Sequence, residues 1–334
     1  MKGKKLKRSK QEILSLLKKE NKTFWGLLRK LPYSVIEVIE ELNLLHKEGL
    51  VKTQNDLIFL TEKGVSFTEK ERILKAIEWN KEFEEKLLEK FIKAVKNRPK
   101  ATKKFDQGFI KPENSAERAV IMGKNFDVDS KKILVIGDDD LMSVALALTE
   151  RAEKIVVLEA DQRLNDFINA FAEENNFPLK ALTWSIEDPI SAEFKKSFDV
   201  FLSDPVETLE GIKLFLGRGI NALKGIDSSF YFGLTSLEAG KLKWQEIQKM
   251  LLNSGFIFTD IIKDQAFYPI EQFYAYVSGA GKIPENSSEF PISNAKETYF
   301  RSSFFRCLAV KEIQPLIKGK IKLTDKTFFD EEIF

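Results

Sequence analysis

Residues 133–161 read ILVIGDDDLMSVALALTERAEKIVVLEAD, and their order decides the fold. An apolar run, Ile133 to Ile136, leads into Gly137 and three aspartates. A helix-like segment from Leu141 to Glu150 follows, and then a second apolar run, Ile155 to Leu158. Short β-branched runs bounded by turn signals are buried strands, and the segment joining them is long enough for a crossover helix. The alternation continues through a helix at Arg163 to Asn175 and strands near Ala181 to Trp184 and at Val200 to Leu202. Later strands at Ser229 to Gly233, Phe256 to Ile262 and Ser303 to Val310 extend the sheet to roughly seven strands. The expected class is therefore α/β, with a Rossmann-like, methyltransferase-type sheet, mainly parallel and covered by helices on both faces.

Toward the amino terminus the period changes. Helices are expected over Gln11 to Glu20, Phe24 to Leu31 and Ser34 to Glu48, followed by a hairpin pairing Leu50 to Lys52 with Leu57 to Thr61 around the turn Gln54-Asn55-Asp56. That order is the pattern of an N-terminal winged-helix domain. The third helix carries Val35, Val38, Ile39, Leu42 and Leu45 as its apolar stripe. Its Glu37, Glu40 and Glu41 would face phosphates unfavourably, so docking or dimerisation fits better than DNA binding, despite the basic start Lys2, Lys4, Lys5, Lys7 and Arg8. A long charged helix over Glu69 to Lys96 and a basic connector, Asn97 to Lys104, complete the expected layout. The resulting division is 1–66 winged helix, 67–104 connecting helix and linker, 105–312 catalytic domain and 313–334 tail.

Composition bounds the chemistry. With 334 residues, 43% of them hydrophobic and 28 phenylalanines, the chain can build more than one core. One cysteine, Cys307, and one histidine, His46, give no internal disulfide and no Cys/His zinc site, and both read as structural. No run approaches the roughly 20 apolar residues that span a bilayer, and no signal peptide follows the basic start, so a cytoplasmic protein is expected. The 53 basic and 51 acidic side chains, rich in Lys and Glu, are a composition frequent in heat-adapted proteins.

Ligands of such sheets bind beyond the carboxyl ends of the strands, and here the first turn is Gly137-Asp138-Asp139-Asp140. A dinucleotide loop would need further glycines, and three carboxylates repel phosphate. They also repel the carboxylate of S-adenosylmethionine. One aspartate suffices to cap the following helix, whereas a crowded trio is a cation or proton-transfer site, with divalent-metal binding as the competing use. The second strand ends at Glu159, 22 positions after Gly137, where an acid accepts hydrogen bonds from ribose hydroxyls, with Asp161 beside it. Ser185 and Glu187, after the third strand, are placed near the adenine. The fourth strand delivers Asp204-Pro205-Val206-Glu207-Thr208, with Asp204 where an attacking amine would be held. This loop resembles the acid-Pro-Pro-aromatic loop of amine methyltransferases, with Glu207 in place of the aromatic residue, which suits a flexible cationic amine.

At these residues, together with Gly217-Arg218-Gly219-Ile220, Trp244 to Leu251 and Thr259 to Ile262, the chain resembles the branched-chain polyamine synthases. The resemblance implies an N4-bis(aminopropyl)spermidine synthase, an aminopropyltransferase using decarboxylated S-adenosylmethionine as co-substrate, spermidine as acceptor and no cofactor or metal. It also implies a homodimer, while the glutamates of the third helix speak against nucleic acid and the lack of a long apolar run against a membrane. Asp138, Asp139 and Asp204 become the catalytic acids. Gly137, Glu159, Asp161, Ser185 and Glu187 become donor contacts. Asp140 and Glu207 become acceptor contacts. Read from its own residues, the acidic tail Asp330, Glu331 and Glu332, beside Phe328, Phe329, Ile333 and Phe334, is either a solubilising end or a lid folded over the crevice that adds acceptor contacts. Val206 and Ser185 depart from the family, which has a second proline and an acid at those places. An amine or nucleic-acid methyltransferase using S-adenosylmethionine, and a winged-helix regulator sensing polyamines, are the alternatives.

Overall fold

The computed structural model describes residues 6–105, 107–269 and 300–332. Lys2, Lys4, Lys5, Ile333 and Phe334, named above, lie outside the described residues. The chain divides into two compact units, Met1–Asn80 with Ile121–Ser130, and Lys81–Val120 with Lys131–Phe334.

The first unit runs α1 (Arg8–Lys19), β1 (Lys22–Thr23), α2 (Phe24–Leu28), α3 (Val35–Lys47), β2 (Val51–Gln54), β3 (Leu57–Leu60) and α4 (Glu62–Lys70). The three strands pair in the order β1-β3-β2, antiparallel throughout. The β2–β3 hairpin turns on Asn55 and Asp56, both at positive φ, as a tight two-residue hairpin turn requires. Ser34 opens α3 with a capping box: its hydroxyl accepts from the Glu37 N–H while the Glu37 carboxylate accepts from the Ser34 N–H. Ile13, Leu14, Leu27, Val38, Leu45 and Leu50 form the core.

Three expectations are corrected in this unit. Val35 and Ile39 are each 43% exposed, because the core covers a narrower arc of α3 centred on Val38, Leu42 and Leu45. Glu41 does not face outward; it is buried, accepting from the Ser9 hydroxyl at 2.8 Å and pairing with Lys7 at 2.9 Å. With Glu37 committed to its cap, Glu40 alone of the three carboxylates stays free on the surface among the described residues. The long helix over Glu69 to Lys96 is two helices, α4 and α5 (Lys81–Ala94), separated by irregular chain. Arg72 takes positive φ, and Ile73, Ala76 and Trp79 are buried in the first unit, so tertiary packing overrides helix propensity there.

The second unit holds α5, α6 (Pro112–Lys124, whose last turn belongs to the first unit), β4 (Lys132–Ile136), α7 (Met142–Leu148), β5 (Lys154–Glu159), α8 (Gln162–Glu174) and β6 (Leu179–Thr183). It continues with β7 (Val200–Ser203), α9 (Leu209–Ala222), β8 (Ser229–Leu234), α10 (Lys241–Asn253), β9 (Phe256–Phe267) and β10 (Arg301–Ala309). The sheet order is β6-β5-β4-β7-β8-β10-β9. β6 through β8 are parallel, while β10 runs antiparallel to both β8 and β9. Leu134, Ile136, Phe201, Phe230, Phe232 and Phe305 pack with Ile212, Leu216 and Ile220 of α9 and Ile247 and Leu251 of α10. Cys307 is fully buried among them as a core thiol. The strand order reverses between β4 and β7, which places a crevice at their carboxyl ends.

Candidate active site

Five strand ends meet at that crevice. β4 gives way to Gly137, whose positive φ turns the chain so that its N–H donates to the Leu158 carbonyl at 3.0 Å. Asp138 follows with 1% exposure. Its N–H donates to Glu159 Oε2 at 2.9 Å, and its carboxylate accepts the Ser143 N–H at 3.2 Å, fastening the start of α7. Asp138 thus supplies the helix-capping contact as well as a buried titratable group. Burial, only partly offset by the Ser143 hydrogen bond and reinforced by Glu159 and Asp140, pushes its carboxyl up to about 8.

The next two aspartates are held by backbone. Asp139 Oδ2 accepts the Gly108 N–H at 2.8 Å, and Asp140 Oδ1 accepts the Ile110 N–H at 2.7 Å. Burial raises both carboxyls, Asp139 well above its usual range and Asp140 to about 7, and their neighbouring acids add to the effect. Two arginines moderate the crowding. Arg98 donates to the Asp139 carbonyl, and Arg118, 1% exposed, bridges Asp140 and Asp204, with Nη1 at 3.2 Å from each. Arg118 is itself fixed by Gln265 at 2.9 Å, by Ser302 at 3.1 Å and by the Phe304 ring 4.7 Å away. The Tyr268 hydroxyl donates to Asp204 at 3.0 Å.

The sequence reading missed Arg118, Arg98, Tyr268 and the 107–111 segment. Arg118 carried a signal: it is the one cation in Ala116 to Met122, a stretch whose Ala116, Ala119, Val120 and Met122 are fully buried. An arginine on a buried face needs carboxylate partners. Tyr268 and the 107–111 amides become visible only when the chain folds back on the crevice.

On the β5 side, Glu159 accepts the Asp138 N–H and the Asp161 N–H, and burial raises its carboxyl. Asn165 and Trp184 both donate to its carbonyl, each at 3.0 Å. Asp161 caps α8 and is taken up by Arg163 and Gln107; their hydrogen bonds outweigh its burial and lower its carboxyl. Ser185 accepts the Glu187 N–H at 3.3 Å. The Glu187 carboxylate accepts from the Leu323 N–H at 3.2 Å, so it braces the C-terminal segment. Glu207 accepts the Thr235 N–H at 2.7 Å through Oε1, while its buried Oε2 has no partner among the described residues. Burial, then Glu238, pushes that carboxyl well up.

The acidic tail is described through residue 332. Asp330 and Glu332 pair with Lys243 at 2.8 Å and 3.0 Å, and Glu332 accepts the Gly240 N–H, which lowers its carboxyl. Glu331 and Phe329 are exposed. The structure therefore gathers Asp138, Asp139, Asp140, Asp204 and Glu159 at neighbouring strand ends, with Asp138 bonded to Glu159 and Arg118 bridging Asp140 and Asp204, and sets Asp161, Asp330 and Glu332 into compensated pairs. Among the described residues no group of three or more His, Cys, Asp or Glu side chains is arranged to hold a metal ion, and no helix is long and apolar enough to cross a membrane.

The second unit is thus a doubly wound α/β domain with a carboxylate at the end of β5 and buried carboxylates crowded beyond their arginines at the switch point, where such sheets bind ligands. The chain belongs to the branched-chain polyamine synthase family: residues 86–333 match the branched-chain polyamine synthase A C-terminal domain. It is 33% identical over 339 residues to the N(4)-bis(aminopropyl)spermidine synthase of Methanocaldococcus jannaschii, covering 97% of this chain and 94% of the relative. It is 36% identical over 240 residues to the enzyme of the same name from Thermococcus kodakarensis, covering 68% of each. The C9 mutein of the Thermus thermophilus branched-chain polyamine synthase, solved with N4-aminopropylspermidine and 5'-methylthioadenosine, superposes with a TM-score of 0.66 at 25% identity. That match spans 98% of this chain and 92% of the other.

Proposed function

We propose that this chain moves aminopropyl groups from decarboxylated S-adenosylmethionine to the N4 nitrogen of spermidine, giving tertiary and then quaternary branched polyamines. The observation that carries the reading is the Asp138–Asp140 loop with Asp204. These are buried carboxylates that outnumber the two arginines beside them, at a switch point, with Asp138 raised to about 8. Such a cluster attracts a polycation and repels phosphates and carboxylates.

The donor is already activated as a sulfonium, so the protein has to align and deprotonate. Glu159 holds the ribose, with the loop after β6 beside the base. Asp138, Asp139 and Asp204 orient the amine, and Asp140 and Glu207 hold the remaining ammonium groups. N4 gives its proton to Asp138, and its lone pair attacks the propyl carbon bonded to sulfur. The C–N bond forms as the C–S bond breaks, and the bonding electrons stay on sulfur in neutral methylthioadenosine. A carboxyl with a proton affinity near neutrality is suited to that transfer, and alignment at near-attack distance supplies much of the remaining acceleration. No resident cofactor enters the scheme.

The first unit's order, helix-strand-helix-helix-strand-strand with a short hairpin, supports a winged-helix domain over residues 1–66. We assign it to docking within a cytoplasmic homodimer. Incubating the purified protein with spermidine and either donor tests the reading by mass spectrometry. Mass gains of one and two aminopropyl groups with the decarboxylated donor are expected. Methyl gains with S-adenosylmethionine and none with its decarboxylated form would replace the reading with a methyltransferase.

A further inference from the structure

The motif Gly217-Arg218-Gly219 lies in the middle of α9, and the chemistry above makes no use of it. Both glycines are steric requirements. A Cβ on Gly219 would sit 2.2 Å from the Phe201 ring, and one on Gly217 would sit 2.8 Å from Ile317. Arg218 between them has no exposed surface and donates to main-chain carbonyls in three directions. Nε reaches Ile186 at 3.0 Å, Nη2 reaches Glu187 at 2.5 Å, and Nη1 reaches Gly319 at 2.8 Å. Its side chain makes no ion pair within 4 Å among the described residues. A buried guanidinium satisfied by carbonyls alone is costly to desolvate, and glycines on both sides weaken the helix that carries it.

The three acceptors fall on two segments that are also joined directly. The Ile321 N–H donates to the Glu187 carbonyl at 2.9 Å, the Leu323 N–H donates to the Glu187 carboxylate, and Lys320 pairs with Asp188 at 2.9 Å. Residues 186–188 are therefore clasped between Arg218 on one side and residues 319–323 on the other. This loop follows β6, and Trp184, at its start, donates to the carbonyl of Glu159. Its shape is consequently set beside the acid assigned to the ribose, where the base of a nucleoside would lie.

We propose that Arg218 is a positioning residue for the nucleoside half of the donor. It pins the loop after β6 onto the C-terminal segment so that the base meets a preformed surface. The inference rests on the aminopropyl-transfer reading. Arg218→Lys keeps the charge but cannot span three carbonyls. Gly319→Pro swings one acceptor away at an exposed position, because proline cannot adopt the φ of +67° found there. For both variants, the dissociation constant of 5'-methylthioadenosine by calorimetry and the donor KM should rise about tenfold, the loss of one charge-assisted hydrogen bond. The spermidine KM and kcat at saturating donor should stay within about twofold, since the crevice aspartates are untouched. Unchanged methylthioadenosine affinity in both variants would overturn the role. So would equal rises in donor and acceptor KM, the mark of a purely structural arginine. Wild-type protein that binds no methylthioadenosine would instead overturn the aminopropyl-transfer reading, and this role with it.

Discussion

The carboxylates of the β4 loop and those of the C-terminal segment have similar sequence signatures and opposite surroundings. Asp138, Asp139 and Asp140 sit together in a buried turn with all three carboxyls raised. Asp330 and Glu332 form an equally acidic run, yet both close on Lys243, and the Glu332 carboxyl is lowered by the Gly240 N–H and then by Lys243. Acids whose local cations match them hold structure together. Acids crowded beyond their cations keep an unmet demand for positive charge, which in the function proposed above a polyamine would supply. Asp161 belongs with the matched acids, since Arg163 already occupies it.

Removing the crowded acid should have the largest effect. Asp138→Asn is expected to lower kcat by about 10²-fold or more, the usual worth of a general base, while an amide can still accept the Ser143 N–H. Activity within about threefold of wild type would return Asp138 to a capping role. The same variant should melt higher than wild type above neutral pH, because it deletes a charge that burial disfavours. The sign follows from linkage: the folded value of about 8 lies above the ordinary 3.8, so the folded chain binds more protons between them. Stability contributed by Asp138 and Asp140 should therefore fall as pH rises from about 4 to about 8, and spermidine should recover more of it at the upper end. A ligand-free melting temperature that climbs steadily across that window would contradict the raised carboxyls.

Arg118 tests the boundary between the two regimes. Arg118→Leu leaves Asp140 and Asp204 facing each other without their shared cation, and should cost about 3–5 kcal/mol in urea unfolding at pH 8, as for other broken buried pairs. At pH 5, below the raised value of about 7 for Asp140, the loss should be visibly smaller. A penalty independent of pH would assign Arg118 to packing on Phe304 instead.

Glu159→Ala should have a narrower effect, raising the donor KM several-fold more than the spermidine KM, since a ribose contact holds the nucleoside alone. Equal losses would mean that Glu159 shapes the entire turn through its hydrogen bonds to Asp138 and Asp161.

Much of this contrast was legible in the sequence because strand ends are. Apolar runs such as Ile133 to Ile136 and Ile155 to Leu158 locate the crevice, and any acid directly after them must face it. Whether an acid there is compensated depends on residues brought in from elsewhere. Arg118 meets Asp204 across 86 positions and Lys243 meets Asp330 across 87, separations that no local pattern encodes. The same limit explains the misread α3 stripe and the broken helix at Arg72, where the partner surface decides which apolar residues turn inward. Glu187 shows it at the smallest scale: its position after β6 is correct, but a main-chain amide of the C-terminal segment claims its carboxylate.

The smallest effect is expected at the tail, where two mechanisms give separable outcomes. Deleting residues 327–334 removes the acids on Lys243 and also the Thr327 carbonyl that accepts the buried Thr208 hydroxyl at 2.9 Å. Thr208 caps α9 directly after the Asp204–Glu207 loop, so the tail reaches the acceptor side through a hydrogen bond as well as through charge. A rise of about two- to fivefold in the spermidine KM, with donor affinity nearly unchanged, is expected for the loss of one such contact. If long-range attraction of ammonium groups by Asp330, Glu331 and Glu332 is responsible, the difference from wild type should shrink between about 0.05 and 0.5 M salt as screening shortens. If the Thr208 anchor is responsible, the difference should persist in salt, and Thr208→Val in the full chain should reproduce it. Acceptor kinetics unaltered at low salt would make the tail a passive end, and the contrast with the β4 loop would then be complete.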